Sequence, residues 1–135
     1  MIDVMVQAHI PEDYIENLSN RLDAYRRISD IKTKADANDV IDEFIDRYGD
    51  LPKSVMGLID IALIRNIASS MGIYEIKQND NSLLLYIDSI KRDEVGALIT
   101  KLKGQAMLSA MGKPYIAVRY QGKINPLSAL KEIFF

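Results

Sequence analysis

Between Glu43 and Pro52 the chain reads Glu-Phe-Ile-Asp-Arg-Tyr-Gly-Asp-Leu-Pro, and this stretch constrains the fold more than any other. Val40, Ile41, Phe44, Ile45 and Tyr48 recur at helical spacing and form one apolar face, with carboxylates filling the opposite one. Gly49 can take the left-handed conformation that closes a helix, and Pro52 suits the first turn of a successor. A helix, a glycine stop and a second helix are expected here.

The same reading extends along the chain. Ile2 to Val6 alternates as a short strand, which Pro11 ends. From about Asn17 to Ile31, Leu18, Leu22, Tyr25, Ile28 and Ile31 keep one helical face. Ser29 to Ala35 is a polar break, after which Asp36 or Asn38 can accept from the free amides that open the helix ending at Tyr48. The next helix spans about Pro52 to Ser70, with Val55, Leu58, Ile59, Ala62 and Leu63 inward; Ile61, Ile64 and Ile67 give it a second apolar side, and Gly72 stops it.

The period then changes. Ile73–Gln78 and Leu83–Ile87 flank Asn79-Asp80-Asn81-Ser82, a hairpin loop. Ser89–Lys103 returns to helical spacing, with Val95, Leu98, Ile99 and Leu102 buried and Gly104 after it. Met107–Met111 and Tyr115–Tyr120 bracket a second hairpin at Gly112-Lys113-Pro114, and Asn125-Pro126 opens a terminal helix through Phe135. Helices first and hairpins later predict an α+β fold: a helical N-terminal half packed on a small sheet built from C-terminal β-hairpins. One domain, residues 1–135, is expected.

Composition narrows the function. With no cysteine there is neither a disulfide framework nor a thiolate zinc site, and a reducing cytoplasm is the expected compartment. The apolar runs are too short to cross a bilayer, and Met-Ile-Asp-Val-Met-Val has no signal-peptide pattern. Met1 abuts what reads as mid-strand, so a piece of a longer chain is expected. Residues 1–50 hold 12 acidic against 6 basic side chains, residues 51–135 hold 7 against 11. The acidic first part argues against laying that surface on DNA and favours a basic protein partner.

Catalytic inventory is poor. His9 is the single histidine, and nearby carboxylates do not frame it as a catalytic pair. The Gly-Lys pairs at Gly112 and Gly122 have Met107 and Ala117 where the first glycine of a phosphate-binding loop belongs. Neither a Gly-x-Ser-x-Gly nor a His-Glu-x-x-His motif is present. No enzyme activity, cofactor or metal is expected. The feature with most character is the stripe Asp36, Asp39, Glu43, Asp46 and Asp50, recurring every three or four residues. Carboxylates one turn apart can hold a hard cation, but a regular helix rarely converges enough of them. A solvated face is the ordinary alternative.

Residue identities add to this. Glu-Phe-Ile-Asp-Arg-Tyr-Gly-Asp-Leu-Pro, the apolar helix Val55–Arg65, Met71-Gly72-Ile73, and the earlier Ala8–Ile15 and Arg21–Ile28 together resemble the C-terminal domain of the bacterial transcription-repair coupling factors (Mfd). The match is specific from about Ile2 to Ile76 and loose beyond, and Glu16 departs from the proline expected after Tyr14-Ile15. The resemblance implies a non-catalytic, monomeric regulatory domain of a larger ATP-driven DNA translocase that engages RNA polymerase, UvrA and double-stranded DNA. It implies that this domain docks on the parent's own UvrA-binding module and masks it until polymerase is engaged. Carried over by position, the interface residues are Glu43 and Asp46, pairing with arginine on the module.

Other residues have plainer readings. Arg47 is placed to pair with Glu43 at i, i+4; Tyr14, Arg21 and Tyr25 read as packing residues; Arg26 and Arg27 are solvent-exposed or paired with Asp23 and Asp30. Two alternatives stand beside masking. One is nucleic-acid binding through Lys91, Arg92, Lys101, Lys103, Lys113, Arg119 and Lys123, which lack aromatic interleaving in the sequence. The other is a purely structural domain that stabilises its neighbours.

Overall fold

A computed structural model describes residues 2–3, 8–88, 92–102, 105–109, 112–122 and 125–135. In chain order the elements are β1 (Ile2–Asp3), α1 (Leu18–Ser29), α2 (Lys34–Tyr48), α3 (Lys53–Ser70), β2 (Ile73–Gln78), β3 (Ser82–Ile87), α4 (Arg92–Leu102), β4 (Ala106–Ser109), β5 (Tyr115–Arg119) and α5 (Pro126–Phe134). The architecture is α+β, as the pattern of periods predicts. The chain clusters into two compact units, one ending at Asn66, the other taking Ile67–Phe135 with strand β1.

In the helical unit the helix starts are set by side chains. Asn17 caps α1 by accepting from the Asn20 amide at 3.0 Å. Thr33, not Asp36 or Asn38, caps α2: its hydroxyl accepts from the Asp36 amide, and the Asp36 carboxylate accepts in return from the Thr33 amide. Asp36 is thus the third residue of a capping box, so α2 begins earlier than expected and the polar break is shorter. Gly49 closes α2 with φ +90° and ψ −165°, a region essentially reserved for glycine.

Burial agrees with the expected faces in α2 and α3 more than in α1. Val40, Phe44, Val55, Ile59, Ala62 and Leu63 are buried, as is Ile64. Ile45, expected on the apolar face of α2, is exposed. On α1 the buried residues are Ala24 and Ile28, with Ile31 beyond the helix; Leu18, Leu22 and Tyr25 are exposed, Leu18 by 60%. Of the face expected for this helix, the C-terminal members Ile28 and Ile31 are buried, and Leu18, Leu22 and Tyr25 are not; Ala24 takes their place in the core.

The sheet unit is built on backbone pairing. Strand order is β1-β2-β3-β5-β4, with β2, β3, β5 and β4 antiparallel and β1 added in parallel to β2. Both expected hairpins form. The first is closed by the Asn79 amide donating to the Ser82 carbonyl at 2.8 Å, the second turns through Gly112 at φ +67°. Leu83, Leu85 and Ile87 of β3 are buried, as are Ile116 and Val118 of β5. Leu85 stands opposite Ile116 and Leu83 opposite Val118, so these side chains share one face. The other face carries Tyr86 and Tyr115, whose ring centroids are 5.5 Å apart, with the Lys77 ammonium 5.8 Å from the Tyr86 ring centre.

Asn125 caps α5, with Pro126 in its first turn, and Ala129, Leu130, Ile133 and Phe134 are buried. In α4, Leu98 is buried. Residues 4–6 of the expected first strand, Ser89, Lys103, Gly104 and Met111 lie outside the described residues. No helix among the described residues is long and apolar enough to cross a membrane.

Candidate functional site

Helix α2 presents the acidic stripe, and the helical unit holds that helix at both ends. At its start, Asp36 accepts from the Lys32 and Thr33 amides at 3.1 and 3.2 Å. These two backbone bonds hold its carboxyl below the usual aspartate range, helped by the Thr33 hydroxyl and nearby Arg27. At its end, the Tyr14 hydroxyl donates toward the Gly49 carbonyl at 2.9 Å and lies 3.3 Å from the Phe44 carbonyl. Burial pushes the Tyr14 hydroxyl pKa up, with Asp50 and then Tyr48 adding to it.

The loop before α1 is fastened similarly. The Arg21 guanidinium donates to the Ile15 and Glu16 carbonyls, and the Tyr25 hydroxyl accepts from the Ile10 amide at 2.9 Å. Tyr14, Arg21 and Tyr25, expected as packing residues, also serve as hydrogen-bonding anchors. The Tyr14 ring packs on Tyr48 as well, with centroids 5.8 Å apart.

Glu43 does not pair with Arg47. Its carboxylate meets the Arg27 Nε of α1 at 3.5 Å, both side chains about half exposed. Arg47 lies over the neighbouring Tyr48 ring, 5.1 Å from its centre. Arg26 pairs with Asp23 at 2.9 Å, one of the two alternatives open for it. Asp46, one turn from Glu43, is exposed and makes no ion pair among the described residues. Glu43 and Asp46 thus share the outward side of α2 but differ in state: one carries an internal counter-ion, the other does not.

Between α1 and α2 runs a shallow groove lined by Asn20, Asp23, Ala24, Arg27, Glu43, Phe44, Arg47 and Tyr48. It encloses about 50 Å³, far below the roughly 300–1,000 Å³ of a small-molecule pocket. Among the described residues no three His, Asp or Glu side chains gather as metal ligands. His9 is exposed. The sequence alone did not place Arg27 against Glu43, because the contact joins two helices sixteen residues apart and no local spacing rule reaches that far.

Of the basic set expected in the second half, the structure describes the side chains of Lys101, Lys113 and Arg119. Lys101 donates to the Ile133 carbonyl at 3.3 Å, and Lys113 and Arg119 are exposed. Lys91, Lys103 and Lys123 lie outside the described residues. Lys77, which the basic set did not include, lies against the Tyr86 ring and also meets Glu75 at 3.7 Å.

The TRCF domain family model matches residues 4–98. A transcription-repair-coupling factor of Bacillus subtilis is 34% identical over 94 residues, covering 70% of this chain and 8% of the relative. The Escherichia coli protein of that name is 33% identical over 79 residues, 58% of this chain and 7% of its own length. That of Mycobacterium tuberculosis is 37% identical over 75 residues, 56% and 6% respectively. The matches thus span less than a tenth of the length of these relatives. Among solved structures, the crystal structure of the C-terminal domain of transcription-repair coupling factor superposes with a TM-score of 0.86 at 18% identity, covering 99% of this chain and 86% of that one. At that identity the likeness speaks for the fold.

Proposed function

The chain belongs to the TRCF domain family, and from that premise we propose that it works as a single, non-catalytic regulatory domain of a transcription-repair coupling factor. In this reading it docks on the UvrA-binding module of its own parent protein and masks it. The mask opens when the parent, an ATP-driven translocase on double-stranded DNA, engages stalled RNA polymerase in the cytoplasm.

One observation carries the reading. Asp46 offers an exposed carboxylate, with no ion pair among the described residues, beside Glu43 on the outward side of α2, a helix secured at its start by a capping box and at its end by Tyr14. A surface for a basic partner needs charge held in a fixed register, and this helix supplies it. Contacts between exposed charges are each worth about 0–1 kcal/mol, so a clasp of this kind is specific yet reversible. Regulation then follows as a two-state equilibrium biased by one interface.

The test is binding of this chain, in trans, to the separately produced UvrA-binding module, at two salt concentrations and with UvrA as competitor. Salt-sensitive binding that UvrA displaces, and that Glu43→Lys with Asp46→Lys abolishes, is expected. Absence of binding would favour a purely structural domain. Steeply salt-dependent binding to DNA instead would favour the nucleic-acid reading.

A further inference from the structure

Resting on the docking reading above, we infer that Arg27 is an internal competitor for Glu43 and thereby sets how tightly the acidic face of α2 closes on a basic partner. The observation is the cross-helix pair itself. The Arg27 Nε of α1 stands 3.5 Å from the Glu43 Oε2 of α2, inside the groove that also holds Arg47. A partner arginine aimed at Glu43 therefore meets a carboxylate already facing one guanidinium, with a second one turn along the same helix.

Two opposite roles are open to such a residue, and magnitude decides between them. In the first, Arg27 holds the Glu43 carboxylate in its docking position, and removing it weakens docking. A positioning contact would be short and two-pronged, as strong guanidinium–carboxylate pairs are, at about 2.7–2.9 Å. This one is a single contact, long, and with both side chains partly exposed, so it restrains the carboxylate little. What it does supply is a positive charge beside Glu43. That charge lowers the gain from adding a partner cation and repels the cation directly. Both effects have the same sign, so losing Arg27 tightens docking.

Asp46 behaves differently. Among the described residues it has no ion-pair partner to give up, so its contribution to docking does not pass through Arg27. The two carboxylates divide the work: Asp46 attracts without exchanging a neighbour, while Glu43 exchanges one arginine for another. Each docking event then carries an exchange step at Glu43, which keeps the closed state from becoming too stable to open.

The experiment is a double-mutant cycle on the full 135-residue chain, reading its affinity for the UvrA-binding module. Arg27→Ala should tighten binding by about two- to fivefold, the range expected for an exposed ion pair, and Arg27→Lys should restore most of the wild-type value. In a Glu43→Gln background the gain should vanish, whereas in an Asp46→Asn background it should remain. Arg26→Ala removes the same charge one position away, where the partner is Asp23, and should tighten binding less. If Arg27→Ala weakens binding, the positioning role is correct and the competitor role is overturned. If Arg27→Ala and Arg26→Ala act equally in every background, the effect is net charge alone, and the inference also falls. If the wild-type chain does not bind the module at all, the docking reading fails first and takes this inference with it.

Discussion

In the helical unit the irregular segments are held by side chains. Tyr14 fastens the end of α2, Arg21 the loop at Ile15 and Glu16, Tyr25 the segment at Ile10, and Asn66 of α3 donates to the Lys32 carbonyl before α2. In the sheet unit the backbone does this. The Asn79 amide closes the first hairpin on Ser82, the Tyr120 amide donates to Asn81 at 2.8 Å, and the Asp88 amide to Gly72 at 2.7 Å. A helix spends its backbone groups on itself, so whatever joins helices and loops must come from side chains. A sheet spends its backbone groups on neighbouring strands, and the loops between them are tied by the same chemistry. The acidic face of α2 sits on the part of the molecule where single side chains set the geometry, and that part is accordingly sensitive to single substitutions.

The largest effects should come from the buried residues that both units share as a device. Phe44→Ala and Leu85→Ala each remove a side chain that is almost completely buried, at an expected cost of about 3–5 and 2–5 kcal/mol. Urea denaturation measures both. If either costs under about 1 kcal/mol, hydrophobic burial is not the common foundation of the two units, and the contrast between them would have to be redrawn.

A smaller effect separates the units. Tyr14→Phe deletes the hydroxyl that ties Gly49 and should cost about 0.5–1.5 kcal/mol. Tyr86→Phe in the sheet unit leaves its ring contacts with Tyr74 and Tyr115 in place and should be nearly neutral. Equal losses from the two variants would break the claim that polar side-chain ties matter more in the helical unit. The raised pKa of Tyr14 gives a further handle. A hydroxyl whose pKa is higher in the folded state stabilises fully below the ordinary tyrosine range, and its contribution is lost as pH rises through the folded value.

The smallest effect concerns the start of α2. The Asp36 carboxyl is held below its ordinary range by the two backbone bonds it accepts. The lowered folded-state pKa means that its contribution is present above the ordinary aspartate value and is lost as pH falls through the folded one. Asp36→Asn should therefore lower Tm slightly at neutral pH, and the gap from wild type should close in strong acid. A gap that stays constant with pH would mean that the capping box stabilises without the charge.

Much of the fold is legible in the chain because the relevant chemistry is local. Asn79-Asp80-Asn81 turns one hairpin, Asn125-Pro126 opens α5, and Gly49 supplies the positive φ that ends α2. The change from helical to alternating period after Gly72 marks where helices give way to strands. Reading fails where two local solutions compete. Thr33 and Asp36 are both capping residues, and only their reciprocal bonds show which one stands outside the helix. Leu18, Leu22, Tyr25, Ile28 and Ile31 share one spacing, and spacing alone cannot say which of them are covered.

The sequence by itself determined the order of helices and hairpins, the acidic character of α2 and the family, since propensity, turn chemistry and motif identity are all written within a few residues. Tertiary structure alone decided the parallel pairing of β1 with β2, the exposed stripe on α1, and the exchange of Arg47 for Arg27 as the partner of Glu43. Each of these depends on residues distant in the chain meeting in space, and whether an exposed charge pairs depends on where a neighbouring helix places its opposite.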